Sequence, residues 1–121
     1  MKDFRDLKIW SRSHQLTLQV YELTRSFPKE EIYGLVSQIR RSASSIPTNI
    51  AEGCGRNTDA DFARFLDTSM GSASELEYQL ILSRDLAYLS LEAYETTNTE
   101  LVEIKKCSTL SSKSSEPAAN L

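Results

Sequence analysis

Apolar residues recur at alternating steps of three and four along most of the chain, a spacing that places them on one face of an α-helix. One series runs through Ile32, Val36, Ile39, Ala43, Ile46 and Ile50. A longer series runs through Phe62, Leu66, Ser69, Ala73, Leu76, Leu80, Ser83 and Ala87. Glycine and proline are scarce, with four and three copies, which favours helices joined by short turns over a many-turned sheet. We therefore predict an all-α fold.

This pattern and its flanking residues predict four helices. The first is expected over residues 7–27, the second over 31–56 and the third over 59–89, and the fourth begins after Ser90. Thr58 and Ser90 are residue types that cap helix N-termini, whereas Gly53 and Gly55 suit a left-handed cap at the end of the second helix. Residues 1–107 are predicted to form the bundle domain, and the serine-rich residues 108–121 a disordered tail.

Pro47 lies inside the second helical pattern. Proline lacks a backbone donor and crowds the carbonyl four residues earlier, so we expect it to bend or break this helix. Ser44 and Ser45 stand where their hydroxyls can hydrogen-bond the carbonyls that the proline frees. Small residues around Gly71, in the middle of the third helix, are expected to let the second helix approach closely.

The first helix carries two apolar rows rather than one. They are Leu7, Trp10, His14, Leu18 and Tyr21, and Ile9, Leu16, Val20, Leu23 and Phe27. A helix buried on one side needs a single row, so the second row indicates contact with another subunit; a wide core face within one subunit is the alternative. The third helix also carries a second apolar set, at Phe65, Ile81, Leu82, Leu86 and Leu89.

Charge is unevenly distributed along the chain. The 121 residues carry a net charge of −3, which excludes a protein coated in positive charge for nucleic acid. Yet residues 1–56 contain nine Lys/Arg and six Asp/Glu, whereas residues 57–121 contain five and eleven. The first residues are charged where a signal peptide needs an apolar run, and no apolar stretch approaches the length of a membrane span. We expect a cytoplasmic protein with no membrane partner and reduced cysteines.

The residues that usually carry catalysis are nearly absent. His14 is the single histidine and lies on an apolar row, which favours a core or interface role over general-base work. Cys54 lies between two glycines without an activating partner, and Glu75 and Glu77 do not face each other on a helix. Neither a phosphate loop nor the Glu-x-x-His pairs of a di-metal bundle is present. We expect no enzyme activity, no cofactor, no metal and no small-molecule substrate.

A polar cluster on the second and third helices is the main functional candidate. It comprises Arg40, Arg41, Asn49, Glu52 and Arg56, together with Glu75 and Gln79. In one interpretation, Asn49, Glu52, Glu75 and Gln79 form a structural network around the proline. In the other, the three arginines, extended by Lys8 and Arg12 and repeated by symmetry, form a basic surface that holds RNA phosphates.

Several motifs together carry a family resemblance. They are Phe4-Arg5-Asp6-Leu7-Lys8-Ile9-Trp10, Phe27-Pro28, Tyr33-Gly34-Leu35, Gln38-Ile39-Arg40-Arg41-Ser42-Ala43, Ser45-Ile46-Pro47-Thr48-Asn49-Ile50-Ala51-Glu52-Gly53, Phe65-Leu66, Gly71-Ser72 and Glu75-Leu76-Glu77-Tyr78-Gln79-Leu80. With these motifs, residues 4–106 resemble the four-helix bundle family of proteins encoded in intervening sequences of bacterial 23S ribosomal RNA genes. The chain departs from the usual pattern at Ser69, where alanine is common, and at Ala87, where glycine is common.

The resemblance implies an antiparallel up-down four-helix bundle that assembles into a homo-oligomeric ring, a homopentamer in relatives. A related branch, the accessory protein of diversity-generating retroelements, works with a reverse transcriptase and nucleic acid, and that branch is basic where this chain is acidic. Our first hypothesis is therefore a non-enzymatic ring-forming scaffold or adaptor linked to RNA or an RNA-handling partner. The alternative is a protein that binds RNA or DNA directly through a symmetric arginine surface.

Overall fold

The computed structural model describes the backbone of residues 3–113 and the side chains of residues 3–108. Four α-helices are present in this part of the chain: α1 (Lys8–Thr24), α2 (Leu35–Cys54), α3 (Asp59–Asp85) and α4 (Leu91–Lys113). Short 3₁₀ turns precede α1 and α2, at Phe4–Asp6 and Lys29–Glu31. The described residues contain no strand, which confirms the predicted all-α class.

The helices pack as a closed antiparallel bundle in which each helix packs chiefly against two others. Between α1 and α2, Thr17 bonds to Ala43 while Thr24, further along α1, bonds to Arg40, which lies earlier on α2. The same reversal of direction occurs between α2 and α3, between α3 and α4, and between α1 and α4. The largest fully buried side chains are Ile9, Leu16, Ile39, Ile46, Ile50, Leu76, Leu80, Leu101, Ile104, Val20 and Thr97.

The predicted N-caps of α3 and α4 are present, whereas the predicted C-cap of α2 is not. Thr58 and Ser90 accept hydrogen bonds from the backbone three residues later, which confirms both N-caps. The left-handed cap predicted around Gly55 is wrong, because its φ is −79°. Among the described residues the left-handed conformation occurs instead at Ala87, with φ 63°, just after α3. This residue stands where the resemblance noted in the sequence implies a glycine.

The second helix starts later than predicted because Glu31 belongs to a separate turn. Its carboxylate accepts a hydrogen bond from the Leu35 backbone N–H at 3.2 Å and so covers the N-terminus of α2 from the preceding turn. The same carboxylate accepts a bond from the Tyr88 hydroxyl at 3.0 Å, which ties the turn to the segment between α3 and α4. That hydrogen bond raises the pKa of Tyr88 above its ordinary value.

Pro47 lies inside α2 without interrupting it, so the helix is not broken there; the bend stays a prediction. The carbonyl that loses its helical donor is that of Ala43, four residues earlier. Its partner is the hydroxyl of Thr17 on α1, at 3.1 Å, and not Ser44 or Ser45. The proline is therefore accommodated by a neighbouring helix.

The small residues around Gly71 do meet α2, as predicted: Ser69 donates to the Ile46 carbonyl at 2.9 Å, and the hydroxyls of Ser72 and Ser45 lie 2.8 Å apart. Gly71 itself takes no part in this contact. A Cβ placed on Gly71 would meet no atom within 4 Å, so this residue faces away from other helices. A Cβ on Gly53 would lie 3.0 Å from the Cβ of Phe65. The bundle therefore needs a glycine where α2 ends against the start of α3.

The fourth helix extends beyond the predicted domain boundary. It continues to Lys113, and the buried Ser108 is part of it, so the start of the predicted tail is six residues too early. Helical spacing from Ile104 to Ser108 keeps this residue on the core face. The remaining residues, 114–121, lie outside the described part of the chain, and their predicted disorder stays a prediction.

Candidate interaction surface on the first two helices

The outer face of α1 and α2 carries two adjoining grooves that share Ser44. The first, which we call the tryptophan groove, has a volume of roughly 400 Å³ and is lined by Phe4, Trp10, His14, Thr17, Ser44, Pro47, Thr48 and Ala51. The second, the tyrosine–arginine groove, has a volume of roughly 480 Å³ and is lined by Tyr21, Ile32, Tyr33, Val36, Ser37, Arg40, Arg41 and Ser44. Of the two apolar rows of α1, one contributes Ile9, Leu16 and Val20 to the core. From the other row, Trp10, His14 and Tyr21 border these grooves.

Stacked rings form the wall of the tryptophan groove. The rings of Trp10 and His14 are nearly parallel, with centroids 5.0 Å apart, because the two residues are one helical turn apart. Phe4 meets the edge of Trp10 at 4.9 Å. Among the described residues, no group of His, Cys, Asp and Glu side chains is arranged to hold a metal ion. The position of His14 fits a packing role at a surface groove.

In the tyrosine–arginine groove, Arg40 is held in place by α1. Its Nε donates to Thr24 Oγ1 at 2.9 Å and a terminal nitrogen donates to the Tyr21 carbonyl at 3.2 Å. The guanidinium carbon also lies 4.7 Å above the centre of the Tyr21 ring. Arg40 therefore serves the packing of α1 on α2, and one face of Tyr21 is already covered.

The neighbouring groups of this groove are exposed. Tyr33 is 96% exposed and Ile32 is 49% exposed. Arg41 is exposed, and its guanidinium has no hydrogen bond, ion pair or ring contact among the described side chains. An exposed ring and an uncommitted cation thus border the same groove.

The five residues of the predicted basic surface are not brought together within one subunit. Arg12 pairs with Glu100 of α4 at 3.0 Å, and this hydrogen bond raises the pKa of Arg12 above its ordinary value. Arg56 pairs with Glu52 at 3.1 Å and lies over the ring of Phe65. Lys8 is exposed at the start of α1.

Distance along α2 separates the arginines further. Arg40 lies fourteen residues before Cys54, the last residue of α2, which corresponds to about 21 Å at the helical rise of ~1.5 Å per residue. Arg56 lies beyond that end of the helix. Phosphate binding by all five residues as a single patch would therefore require groups from several subunits.

The predicted polar network consists of separate contacts. Asn49 donates to the Ser45 carbonyl at 2.8 Å and to its hydroxyl at 3.0 Å, and Ser45 meets Ser72 of α3 at 2.8 Å. Glu75 accepts from Ser42 at 2.9 Å. Glu52 bonds to an arginine rather than to these groups.

Gln79 completes the predicted set without joining it. Its side chain is buried, and its Oε1 accepts no hydrogen bond within the described side chains. Of these four residues, Glu75 alone makes a described side-chain hydrogen bond between α2 and α3, and the four do not form one site.

The sequence reasoning assigned no contact or surface role to two residues that matter here. Thr17 lies between the two apolar rows, and nothing in its local pattern indicates a bond to the proline-containing helix. Tyr33 follows the turn before α2, where helical periodicity does not yet apply. The sequence signal that could have indicated an exposed position for Tyr33 was its place between a turn that begins at a proline and Gly34.

The opposite side of the bundle differs in character. Tyr78 on α3 and Leu91 on α4 are 61% and 62% exposed, and these helices belong to the half of the chain with the acidic excess. In the part of the chain that the structure describes, no helix is long and apolar enough to cross a membrane. Both sides of the bundle thus expose large apolar residues beside charges of opposite excess.

The chain matches one protein-family model and is similar to a solved structure. A sequence model described as 23S rRNA-intervening sequence protein matches residues 5–109. The chain is also similar to a crystal structure from Bacteroides thetaiotaomicron VPI-5482, described as a protein with unknown function from the S23 ribosomal protein family. The two share 28% identity and a TM-score of 0.79, over 88% of this chain and 99% of the other. Among curated proteins, no sequence matches the chain.

Proposed function

Because the chain belongs to the 23S rRNA-intervening sequence protein family, we propose that it is a non-catalytic, ring-forming scaffold of the cytoplasm. It works with RNA or with a protein that handles RNA. The observation that carries this proposal is the presence of large exposed apolar side chains on both sides of the bundle, among them Leu18, Leu86 and Leu91. Exposed apolar surface on two sides is typical of a subunit with two neighbours.

The charge distribution supports a head-to-tail arrangement of subunits. The half of the chain that contains α1 and α2 has a basic excess, and the half that contains α3 and α4 has an acidic excess. Complementary charge guides one face onto the other, and head-to-tail contacts that close produce rings. A homopentamer, the assembly implied by the family resemblance, is the ring we expect.

A second candidate function is direct binding of nucleic acid. The uncommitted guanidinium of Arg41 and the exposed Lys8 favour it. Repetition around a ring would multiply these weak contacts into useful avidity. The ion pairs of Arg12 and Arg56 reduce the share of the predicted surface available to phosphates.

Light-scattering mass separates these possibilities. The protein is measured at low and moderate salt, with and without a structured ribosomal RNA fragment. A ring-sized mass is expected, and a mass that rises with RNA at low salt supports direct binding. A ring-sized mass that ignores RNA directs the search for partners toward proteins.

A Leu18→Glu variant tests the interface. Its exposed position protects the fold, so we expect unchanged helix content by circular dichroism but a smaller mass. A monomeric parent protein would overturn the scaffold proposal.

A further inference from the structure

We propose that the tyrosine–arginine groove binds one or two unpaired nucleotides of single-stranded RNA. A base stacks on Tyr33, and its phosphate pairs with Arg41. This inference rests on the RNA link of the proposed function and names the site and the form of RNA. It requires that the subunit contact at Leu18 leaves Tyr33 and Arg41 accessible in the ring.

The ring of Tyr33 is suited to stacking rather than to packing. At 96% exposure it contributes almost nothing to the core, and no other aromatic ring of the described residues stacks on it. A base needs only an open ring face, because every base offers a flat π-surface. An apolar peptide anchor instead needs a pocket that excludes water around it, and this groove offers open walls. These features favour an unpaired base over a peptide side chain.

Arg41 supplies the charge that such a ligand requires. Its guanidinium is free of partners among the described side chains, whereas the adjacent Arg40 is fixed by Thr24 and by the carbonyl of Tyr21. A planar guanidinium can bind a phosphate through two parallel hydrogen bonds. Arg40 in this arrangement is a positioning residue that holds Tyr21 and the wall of the groove.

The groove also has the size and polar lining of a nucleotide site. Its volume of roughly 480 Å³ falls within the range of small-ligand sites. The hydroxyls of Ser37 and Ser44 border it, and Ser44 retains an acceptor lone pair while donating to the Arg41 carbonyl. Hydroxyl groups suit a ribose 2′-OH, the group that distinguishes RNA from DNA.

Fluorescence anisotropy with labelled hexauridylate tests the site. Wild-type protein is expected to bind hexauridylate more tightly than a duplex of the same length. Tyr33→Ala is expected to weaken binding about tenfold, whereas Tyr33→Phe keeps the ring and stays within about twofold of wild type. Arg41→Ala is expected to weaken binding and to reduce the salt slope between about 50 mM and about 200 mM by about 0.7.

Matched variants control for general effects of these substitutions. Tyr78→Ala removes another exposed tyrosine from the far side of the bundle, and Arg64→Ala removes another exposed arginine. Both are expected to bind hexauridylate like wild type. The light-scattering mass and the melting temperature of every variant are measured beside its binding, so that a change in assembly or stability is recognised.

Three results would overturn the groove site. If hexauridylate binds but Tyr33→Ala and Arg41→Ala bind as well as wild type, the groove is wrong while the RNA link stands. If Tyr33→Ala changes the assembly mass, the groove is an interface between copies. If a leucine-containing glutamate-rich peptide binds in a Tyr33-dependent way and hexauridylate does not, the ligand is protein. In the last two cases the scaffold proposal is untouched, because the assembly mass tests it.

Discussion

Removing the hydroxyl of Thr17 tests whether α1 stabilises the proline-containing helix α2. Pro47 has no N–H to give to the Ala43 carbonyl, and the Thr17 hydroxyl lies 3.1 Å from that oxygen and 2.8 Å from the Ser13 carbonyl. Ala43 is fully buried, so water cannot replace the lost partner. Leaving a buried acceptor without a donor costs about 1–3 kcal/mol. Since one proton is shared between two carbonyls, we expect Thr17→Val to cost about 1–2 kcal/mol.

A double-mutant cycle with Pro47→Ala isolates this contact. The substitution restores a backbone N–H that can donate to Ala43, so Thr17→Val should then cost less than about 0.5 kcal/mol. The expected coupling energy is about 1 kcal/mol, well within the range of contacting residues. Urea denaturation followed by circular dichroism, at one fixed protein concentration, measures each variant. Unchanged m-values are required for the comparison.

Thr68→Val provides the matched control for this cycle. Its hydroxyl donates to the carbonyl four residues earlier, as that of Thr17 does, but on an exposed part of α3. We expect a cost below about 0.5 kcal/mol, the usual size for surface positions, and no coupling to Pro47→Ala. Equal costs of Thr17→Val in both backgrounds would show that the Ala43 carbonyl does not depend on α1.

Three further predictions concern the helix ends. Ala87→Gly should stabilise the protein by about 0.5–1 kcal/mol. The left-handed backbone at φ 63° costs an alanine about 1–2 kcal/mol, and the greater unfolded-state entropy of glycine offsets part of that gain. An unchanged or lower melting temperature would contradict this prediction. Gly53→Ala should destabilise the protein by about 1–2 kcal/mol. The added methyl lies 3.0 Å from the Cβ of Phe65, and overpacking outweighs the gain in helix propensity. Urea unfolding measures the change, and a neutral result would mean that α2 and α3 can move apart at this point without loss of stability. The hydrogen bond to Glu31 raises the pKa of Tyr88 above 10.0, so its stabilising effect is complete below pH 10 and is lost as the pH rises through the raised value. Unfolding free energy should therefore fall more steeply above pH 10 in the wild type than in Tyr88→Phe, and parallel curves would rule out this linkage.

Periodicity was sufficient to place the four helices and most of the core, because both depend on local spacing. Ile32 and Ala87, the end members of two predicted apolar series, are exposed and lie outside the helices. The core residues of α2 and α3 are the ones whose apolar spacing repeats every three or four positions, and the N-caps at Thr58 and Ser90 have short-range chemical signals. The end of α4 was less predictable. Serine is an indifferent helix former, and the burial of Ser108 depends on packing rather than on composition.

The candidate site was less predictable because it depends on which helices face each other. Arg40 and Arg41 are adjacent in sequence, yet one is committed to α1 and the other is uncommitted. The sequence predicted that Arg12 could bind phosphate, but the packing of α4 places Glu100 beside it as an ion-pair partner. Likewise, the missing N–H of Pro47 predicted a carbonyl without a helical donor, but the hydroxyl that bonds to it comes from Thr17 on another helix.

The acidic net charge does not weigh strongly against RNA at the tyrosine–arginine groove. Exposed charges interact over a Debye length of about 8 Å at physiological salt, and a helix diameter of about 10 Å or more separates this groove from the outer faces of α3 and α4. Glu22, next to Tyr21 in the sequence, is paired with Arg25 at 3.2 Å. The net charge therefore slows long-range attraction of RNA more than it weakens a contact that depends on stacking at Tyr33. A shallow salt dependence, equivalent to one or two phosphates, is the behaviour that this arrangement requires.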